Sequence, residues 1–304
     1  MTGWWFGTLS QCGCVLLAGW AMAGIAAEPP QIMLQQGLVR IEVAAPVGEE
    51  AFYRGQRFDH GGIIPSVRYD GHELCGCLRS PRDPTVHDHA AGICEEFAPV
   101  DPPDYGQRAD HRFWKPGVGI LVGDGQPYHF SHRYEVADPG SWAIDSTLTT
   151  VRFTHTVADP EWKGVYTKEV EVGGDRLTIR RSLVNHSPRA WDLLQYGHAM
   201  LRFGPAEIGP AYEVRVAEVL LRPARPVADN TWRTLQVRWN TPLQEIAVSG
   251  DGYTMALSGD LPAERVELYA EPAAICPEPF VRIQVPVGGE TRWSTVYRMS
   301  RTPP

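Results

Sequence analysis

The sequence predicts an all-β protein built as a large antiparallel β super-sandwich, and two observations lead to this prediction. Apolar residues recur at every second position through most of the chain, as in residues 38–43 and 177–184, which is typical of half-buried strands. Turn-forming residues are frequent, with 30 glycines and 26 prolines among 304 residues. Many strands joined by tight turns favour an antiparallel sandwich over helical bundles.

The alternating pattern assigns strands along the whole chain, separated by turn pairs such as Asp70-Gly71 and Gly288-Gly289. In chain order, the predicted strands are residues 38–43, 63–69, 118–122, 149–155, 166–172, 177–184, 253–257, 265–269, 281–285 and 292–299.

One long segment, residues 78–112, departs from this alternation. It contains five prolines and three histidines and shows no sustained period. We name it the 78–112 loop. Long loops inside compact domains are usually functional or disordered, so we expect this one to form part of the wall of a site.

The first 27 residues carry no Asp, Glu, Lys or Arg and end in Ala26-Ala27 after an apolar run. This pattern predicts a signal peptide over residues 1–27, followed by a single domain over residues 28–304. We therefore expect a periplasmic or secreted protein. An uncleaved membrane anchor is the alternative, and only in that case do we expect a membrane partner.

The net charge of −8 and the absence of a Lys/Arg cluster argue against a nucleic-acid partner. The sequence contains no nucleophile elbow, Walker loop, dinucleotide fingerprint or zinc signature, so we expect no cofactor and no metal. His87 and His89 would share a face of an extended segment, but they lack a third ligand at a defined spacing.

Four cysteines follow the predicted signal peptide: Cys75, Cys77, Cys94 and Cys276. Disulfides form outside the cytosol, and Cys75 and Cys77 are too close in an extended strand to bond each other. Bonds to Cys94 or Cys276 and buried free thiols both remain open as interpretations.

Three late segments carry a family resemblance. They are residues 192–203, which contain His198, residues 274–280, which contain Cys276-Pro277-Glu278-Pro279, and residues 285–298, which contain the turn Gly288-Gly289-Glu290. Together they resemble the aldose 1-epimerase, or galactose mutarotase-like, superfamily. The resemblance implies a large antiparallel super-sandwich, with His198 as general acid and Glu278 as general base.

Further site residues follow from the same resemblance. Residues 53–67 are similar to the family's opening region, where an arginine reaches the sugar, which makes Arg54 and Arg57 candidates. The family's usual Asn-x-x-His-Gly-Gly motif is absent here. We expect His87, His89 or Glu96 to occupy that wall instead.

Aromatic side chains also fit a carbohydrate ligand, because their faces stack on the C–H surfaces of sugar rings. Trp114, beside Lys115, closes the 78–112 loop, and both are expected to contact substrate.

The ligand expected is a mono- or oligosaccharide, and the expected reaction is the interconversion of sugar anomers by acid/base ring opening. A polysaccharide lyase-like enzyme and a non-catalytic carbohydrate-binding protein are alternatives on the same fold. For the epimerase, we expect His198 and Glu278 to face one another across a polar cleft, about one sugar ring apart. Arg57 and Glu96 are expected at the rim.

Overall fold

The computed structural model describes residues 30–46, 48, 50–77, 83–89, 91–99, 111–126, 128–228, 231–235, 242–243 and 245–302. In these residues all regular secondary structure is β-strand, in 21 strands. The first eleven are β1 (Gln31–Gln36), β2 (Val39–Ala44), β3 (Ser66–Tyr69), β4 (His72–Glu73), β5 (Ile93–Pro99), β6 (Arg112–Lys115), β7 (Gly119–Val122), β8 (Glu135–Asp138), β9 (Ser141–Ser146), β10 (Thr150–Ala158) and β11 (Lys163–Gly173). The others are β12 (Arg176–Asn185), β13 (Trp191–Ala199), β14 (Glu213–Val216), β15 (Val219–Leu221), β16 (Thr231–Leu235), β17 (Ile246–Gly250), β18 (Tyr253–Gly259), β19 (Ala263–Glu271), β20 (Ala274–Val285) and β21 (Glu290–Arg301).

Two large sheets dominate the architecture. The first has nine strands in the order β15-β14-β17-β18-β21-β12-β11-β10-β9, and the second has five in the order β16-β19-β20-β13-β5. Smaller sheets of four strands, β1-β2-β3-β4, and three strands, β6-β7-β8, accompany them. Neighbouring strands in all four sheets are antiparallel, for example β13 with β20 and β5. The predicted all-β antiparallel fold is confirmed.

The two large sheets meet in an aromatic core. Phe97 of β5 lies edge-on to Tyr166 of β11 and to Trp293 of β21, with ring centroids 5.3 and 6.2 Å apart. Strand β11 alternates strictly between buried and partly exposed residues, because only one face of the nine-stranded sheet packs inward. The apolar residues that recur at every second position of the sequence are therefore those on the side of this sheet that faces the core.

The middle of the five-stranded sheet is different, because it is buried on both faces. The first eight residues of β20 are all buried, and β13 is buried along most of its length. One face packs on the aromatic core. The opposite face carries the polar residues of the candidate site.

The 78–112 loop is only partly a loop. Its residues Ile93–Pro99 form β5, which pairs with β13, so the prediction of a strand-free segment is wrong there. The alternating pattern misses this strand because Glu95 and Glu96, two adjacent charged residues, are normally a sign of exposed chain. Here both carboxylates are buried. Each is compensated by cations that lie far away in the sequence.

The predicted signal peptide lies outside the described residues. Within the described ranges, no helix has the length and apolar character needed to span a membrane. The cysteines that follow are all free thiols, with Cys94 and Cys276 buried and Cys75 and Cys77 partly exposed.

Candidate active site

The candidate site is built from rows of side chains that cross four neighbouring strands. Glu96 on β5 lies opposite Tyr196 on β13, Tyr196 lies opposite Phe280 on β20, and Phe280 lies opposite Arg265 on β19. Since side chains alternate between faces, residues two positions along each strand project to the same side.

The next row therefore brings together reactive side chains from the same four strands. Cys94 lies opposite His198, and Glu278 lies opposite Glu267. Cys276, two residues before Glu278, lies opposite Tyr269. Strand pairing alone places the predicted acid and the predicted base side by side.

A loop tied to β5 brings Arg57 over these rows. The backbone amide of Asp59 donates to the carbonyl of Glu95 at 2.8 Å, and the amide of Arg57 donates to the Tyr53 hydroxyl at 3.1 Å. The Arg57 guanidinium donates to Glu96 Oε2 at 2.7 Å and to Asp88 Oδ1 at 2.6 Å. Arg57 is thereby fixed between two carboxylates.

The site opens into a cleft of about 510 Å³, a volume typical of small-molecule pockets. Its walls combine charged pairs with aromatic rings. Tyr196 and Phe280 stack with centroids 4.1 Å apart, and the Arg57 guanidinium lies 4.3 Å from the centre of the Phe130 ring. The lining residues are Arg57, Asp88, Phe130, Tyr196, His198, Met200, Arg265, Glu267, Tyr269, Glu278 and Phe280.

His198 lies at the base of the cleft between two carboxylates. Its Nδ1 is hydrogen-bonded to Glu278 Oε1 at 3.0 Å, and its Nε2 lies 3.5 Å from Glu96 Oε2. The imidazole also contacts Phe58 edge-on at 5.0 Å between centroids. Both ring nitrogens therefore have a carboxylate as their neighbour.

This environment favours the imidazolium form. Burial opposes the charge on His198, but Glu278 and Glu96 outweigh burial, and the pKa of His198 is raised above its ordinary value. Burial likewise opposes ionisation of Glu96, but Lys115 and Arg57 outweigh it, so the pKa of Glu96 lies below its usual range. These shifts favour a protonated His198 beside an ionised Glu96.

The expected separation of acid and base is wrong. His198 and Glu278 are in hydrogen-bond contact rather than one sugar ring apart, and Glu96 is fully buried beneath them rather than at a rim. The ring oxygen and the anomeric hydroxyl oxygen are bonded to the same carbon, so groups that serve them must be neighbours.

The remaining residues predicted from the early part of the chain are only partly brought together. Arg54 is exposed and is not among the residues that line the cleft. His87 lies near its edge, with Nε2 3.2 Å from Asp88 Oδ1 and its ring 6.0 Å from Phe130. His89 is buried against Phe52, with ring centroids 5.5 Å apart.

Trp114 and Lys115 do not contact the cleft, so their predicted role in binding substrate is wrong. Trp114 packs edge-on against Trp191 at 4.5 Å in the apolar core. Lys115 is fully buried, and its Nζ donates to the Tyr128 hydroxyl at 2.5 Å and lies 3.9 Å from Glu96 Oε1. Burial lowers the pKa of Lys115 to about 8 against the opposing effect of Glu96.

Sequence reasoning missed most of the cleft wall. Tyr196 and Phe280 each lie two residues from a predicted site residue, on the same face of the same strand, so the strand period alone identifies them. Arg265, Glu267 and Tyr269 of β19 follow from the pairing register, which the sequence does not reveal.

One group of side chains could hold a metal. Ligand atoms of His198, Cys276 and Glu278 all lie within 4.8 Å of one another, and all three residues are buried.

Comparison with known proteins shows similarity in structure but not in sequence. No family model matches the chain, and no curated protein matches it. A protein from Synechocystis sp. PCC 6803 superposes with a TM-score of 0.59 at 11% identity, covering 93% of this chain and 100% of that chain. A galactose mutarotase related enzyme from Lactobacillus acidophilus gives 0.56 at 12% identity, covering 90% and 98%.

A candidate aldose 1-epimerase from Escherichia coli K12 is similar to the same extent, with a TM-score of 0.56 at 13% identity over 90% of this chain and 99% of that chain. These structures match almost end to end, although few residues are identical. The chain therefore has the galactose mutarotase-like fold.

Proposed function

We propose that the protein interconverts the anomers of a sugar by acid/base ring opening, with Glu278 as the base and His198 as the acid. The observation that carries this proposal is the hydrogen-bonded His198–Glu278 pair at the base of an aromatic-walled cleft. Similarity of fold to mutarotase-related proteins supports the same reaction.

The reaction needs two proton transfers at adjacent oxygens. Glu278 takes the proton of the anomeric hydroxyl while His198 gives its proton to the ring oxygen, and the bond between the anomeric carbon and the ring oxygen breaks. The open-chain aldehyde rotates and closes on its other face as both transfers run in reverse. Because the acid and the base are 3.0 Å apart, the two adjacent oxygens of one sugar can contact both groups at once.

The surroundings of His198 suit it to act as the acid. A general acid must carry its proton at the working pH, and the two carboxylates around the ring raise the pKa of His198 despite its burial. Arg57 completes the arrangement, since its bond to Glu96 keeps that glutamate ionised and fixed beneath the imidazole.

The cleft walls suit a neutral, polyhydroxylated ligand. Tyr196 and Phe280 stack on one another at 4.1 Å, and the Arg265 guanidinium lies 3.8 Å from the centre of the Phe280 ring, so these aromatic rings offer the C–H groups of a sugar their edges rather than open faces. Arg265 and Glu267 form an ion pair at 2.7 Å, which offers a donor and an acceptor to hydroxyl groups and leaves little net charge on that wall.

The test is mutarotation of freshly dissolved single anomers, followed by polarimetry or proton NMR across a panel of aldoses. Glu278→Gln and His198→Gln should each lower the catalysed rate by at least about 10²-fold. Glu267→Gln is the matched control, because Glu267 lines the same cleft opposite Glu278 without a place in the proton transfer. It should change the rate by much less.

Two other results would replace the proposal. Release of unsaturated ends from uronic-acid polymers, detected in the near ultraviolet, would indicate a lyase. Thermal stabilisation by glycans without any turnover would indicate a binding protein. A rate unchanged in Glu278→Gln would contradict the assigned base directly.

We also propose that the protein acts outside the cytoplasm, supported by the charge-free apolar segment that ends at Ala27. The intact mass of the exported chain tests cleavage after Ala27. Retention of the first 27 residues would favour the anchored alternative.

A further inference from the structure

Cys276 is the one member of the His198–Cys276–Glu278 group that ring opening does not use. Its thiol is buried and does not line the cleft. It is nevertheless held with the imidazole and the carboxylate so that ligand atoms of all three lie within 4.8 Å of one another. Cys276 also packs in an apolar cluster with Cys94 and Met200, but proton transfer does not require a thiol at this place.

The three side chains form a donor set that suits zinc. Zn²⁺ binds thiolate sulfur, imidazole nitrogen and carboxylate oxygen at about 2.0–2.3 Å. Tetrahedral geometry at these bond lengths separates the ligand atoms by roughly 3.3–3.8 Å. His198 Nδ1 and Glu278 Oε1 are already 3.0 Å apart, so side-chain adjustments of an ångström or less would complete the site.

The orientation of His198 matches that of a metal ligand. Its Nδ1 is hydrogen-bonded to Glu278, while its Nε2 lies 3.5 Å from Glu96 Oε2 without forming a hydrogen bond. Metal-binding histidines commonly donate their second ring N–H to a carboxylate, which fixes the tautomer and makes the other nitrogen a better ligand. Glu96 is placed to accept that proton, and Arg57 holds Glu96 in position.

Access to such a site comes from the cleft. His198 and Glu278 both line it, so a cation entering there meets these ligands first and the Cys276 thiol behind them. Three protein ligands leave a fourth tetrahedral position for water or a ligand oxygen.

We propose that His198, Cys276 and Glu278 form a three-ligand site for Zn²⁺ or a similar thiophilic divalent cation, whose occupancy blocks sugar turnover. The inhibition of turnover rests on the proposed function, since the cation takes the lone pairs that the acid and the base need. The binding itself does not rest on it.

Binding exchanges two protons for a metal ion. The Cys276 thiol and Nδ1 of the His198 imidazolium each lose a proton to solvent as the sulfur–zinc and nitrogen–zinc bonds form, and neither the protein nor the metal changes oxidation state. Affinity should therefore rise with pH.

The first experiment uses the metal alone. Zn²⁺ is titrated into chelator-treated full-length protein by calorimetry, and Co²⁺ is used as a spectroscopic probe of sulfur ligation. We expect one ion per chain and a near-ultraviolet sulfur-to-cobalt charge-transfer band. Cys276→Ser and Cys276→Ala should both abolish the band and weaken Zn²⁺ binding by at least about 10-fold, whereas Cys75→Ser should bind like the wild type.

Circular dichroism and the thermal midpoint establish that each variant is folded, and having two replacements at position 276 guards against one that does not fold. A missing charge-transfer band in the wild type, or undiminished Zn²⁺ affinity in a folded position-276 variant, overturns the site. Adventitious surface binding would appear as non-integral stoichiometry shared by all variants, and it overturns the site as well.

The second experiment separates the site from its consequence. Zn²⁺ should inhibit mutarotation by the wild type, and Cys276→Ser should be active but at least about 10-fold less sensitive to inhibition. Full turnover with zinc bound overturns the block. A wild type that binds one zinc but shows no mutarotation with any aldose refutes the proposed function and the block, while the calorimetric result stands.

Discussion

Two buried lysines, one between the large sheets and one beside the cleft, have pKa values that shift in opposite directions. Lys168 of β11 lies between the large sheets, 2.9 Å from Asp59 Oδ2 and 3.0 Å from Glu95 Oε2. Lys115 of β6 lies beside the cleft, 3.9 Å from Glu96 Oε1. Burial lowers the pKa of both, but two carboxylates outweigh it at Lys168, whose pKa is raised, whereas at Lys115 burial prevails and the pKa falls to about 8.

Strand β5 separates the two environments, because its adjacent glutamates face opposite ways. Glu95 belongs to what we call the interior cluster, formed by Asp59, Glu95, Lys168 and Arg181. Glu96 belongs to the cleft cluster, formed by Arg57, Glu96, Lys115, His198 and Glu278.

The interior cluster is internally satisfied. Lys168 also donates to the carbonyl of Gly61 at 2.8 Å, and Arg181 Nε donates to Glu95 at 2.9 Å. In the cleft cluster His198 and Glu278 instead line an open cleft. Similar residue types therefore join the two large sheets in one place and line the cleft in the other.

The largest expected effect comes from breaking the interior cluster. Lys168→Met leaves Asp59 and Glu95 buried with only part of their compensation, and loss of one partner from a buried ion pair costs about 3–5 kcal/mol. Chemical denaturation should show this as a lower midpoint. Lys115→Met is the matched comparison in the cleft cluster, because Lys115 is equally buried but lies near a single carboxylate, 3.9 Å from Glu96 Oε1, and donates one hydrogen bond to the Tyr128 hydroxyl.

Lys115→Met should cost less stability than Lys168→Met, because Arg57 remains paired with Glu96 and because burial already disfavours the charge on Lys115, whose pKa is lowered. If the two methionine variants lose equal stability, the contrast between the clusters is wrong.

Acid should weaken both clusters. Burial opposes ionisation of Glu95, but Arg181 and Lys168 outweigh it and hold its pKa at about 2. Because the pKa is depressed on folding, this stabilisation is complete above the unfolded-state pKa and is lost as pH falls from about 5 to 2. We expect a loss of about 3 kcal/mol from Glu95, measured by urea unfolding at several pH values.

Glu95→Gln provides the comparison. It should be less stable at neutral pH and show a shallower acid dependence, with the remaining slope contributed by Glu96, whose pKa also lies below its usual range. A slope identical to that of the wild type would contradict the role of Glu95.

The same contrast explains what the sequence could predict. Strands such as β11 and β12 follow from alternation, because their inward residues are mainly apolar. Strand β5 does not, because Glu95 and Glu96 look like a solvated pair until Arg181 and Arg57 are brought to them from 86 and 39 residues away. Compensation across such distances depends on topology, which local pattern does not contain.

Within the site, His198 and Glu278 were singled out by resemblance and lie together at the cleft. Trp114 was assigned wrongly, since a tryptophan has the same faces whether it stacks on sugar or on Trp191 in a core. Only the neighbouring strands decide between the two. The contribution of β19 to the wall likewise depends on pairing register.

A smaller effect of opposite sign should appear in alkali and identify the cleft cluster. The pKa of Lys115 falls from 10.5 to about 8 on folding, so the unfolded chain binds more protons than the folded one between these values. Stability should then rise with pH above about 8, by about 2 kcal/mol between pH 7 and 9.5. Lys115→Met should remove this rise.

Lys168 should not make stability depend on pH between 7 and 9.5. Its pKa is raised on folding, so it stays protonated in both the folded and the unfolded state at these pH values. A flat profile in the wild type would show that Lys115 titrates normally.

The smallest expected effect lies one residue from Lys168 on the same strand. Glu169 projects from the opposite, solvent side of β11, where Arg152 lies directly across from it and donates at 3.0 Å, and Arg180 lies across from its other side at 3.3 Å. Arg152→Met leaves the Arg180 contact in place, and exposed ion pairs contribute about 0.2–1 kcal/mol, less in high salt. Denaturation in low and high salt should therefore show a loss no greater than this, fading as salt is added. If Arg152→Met lost as much stability as Lys168→Met, the position of an ion pair on the strand, rather than its burial, would determine how much it stabilises this sheet.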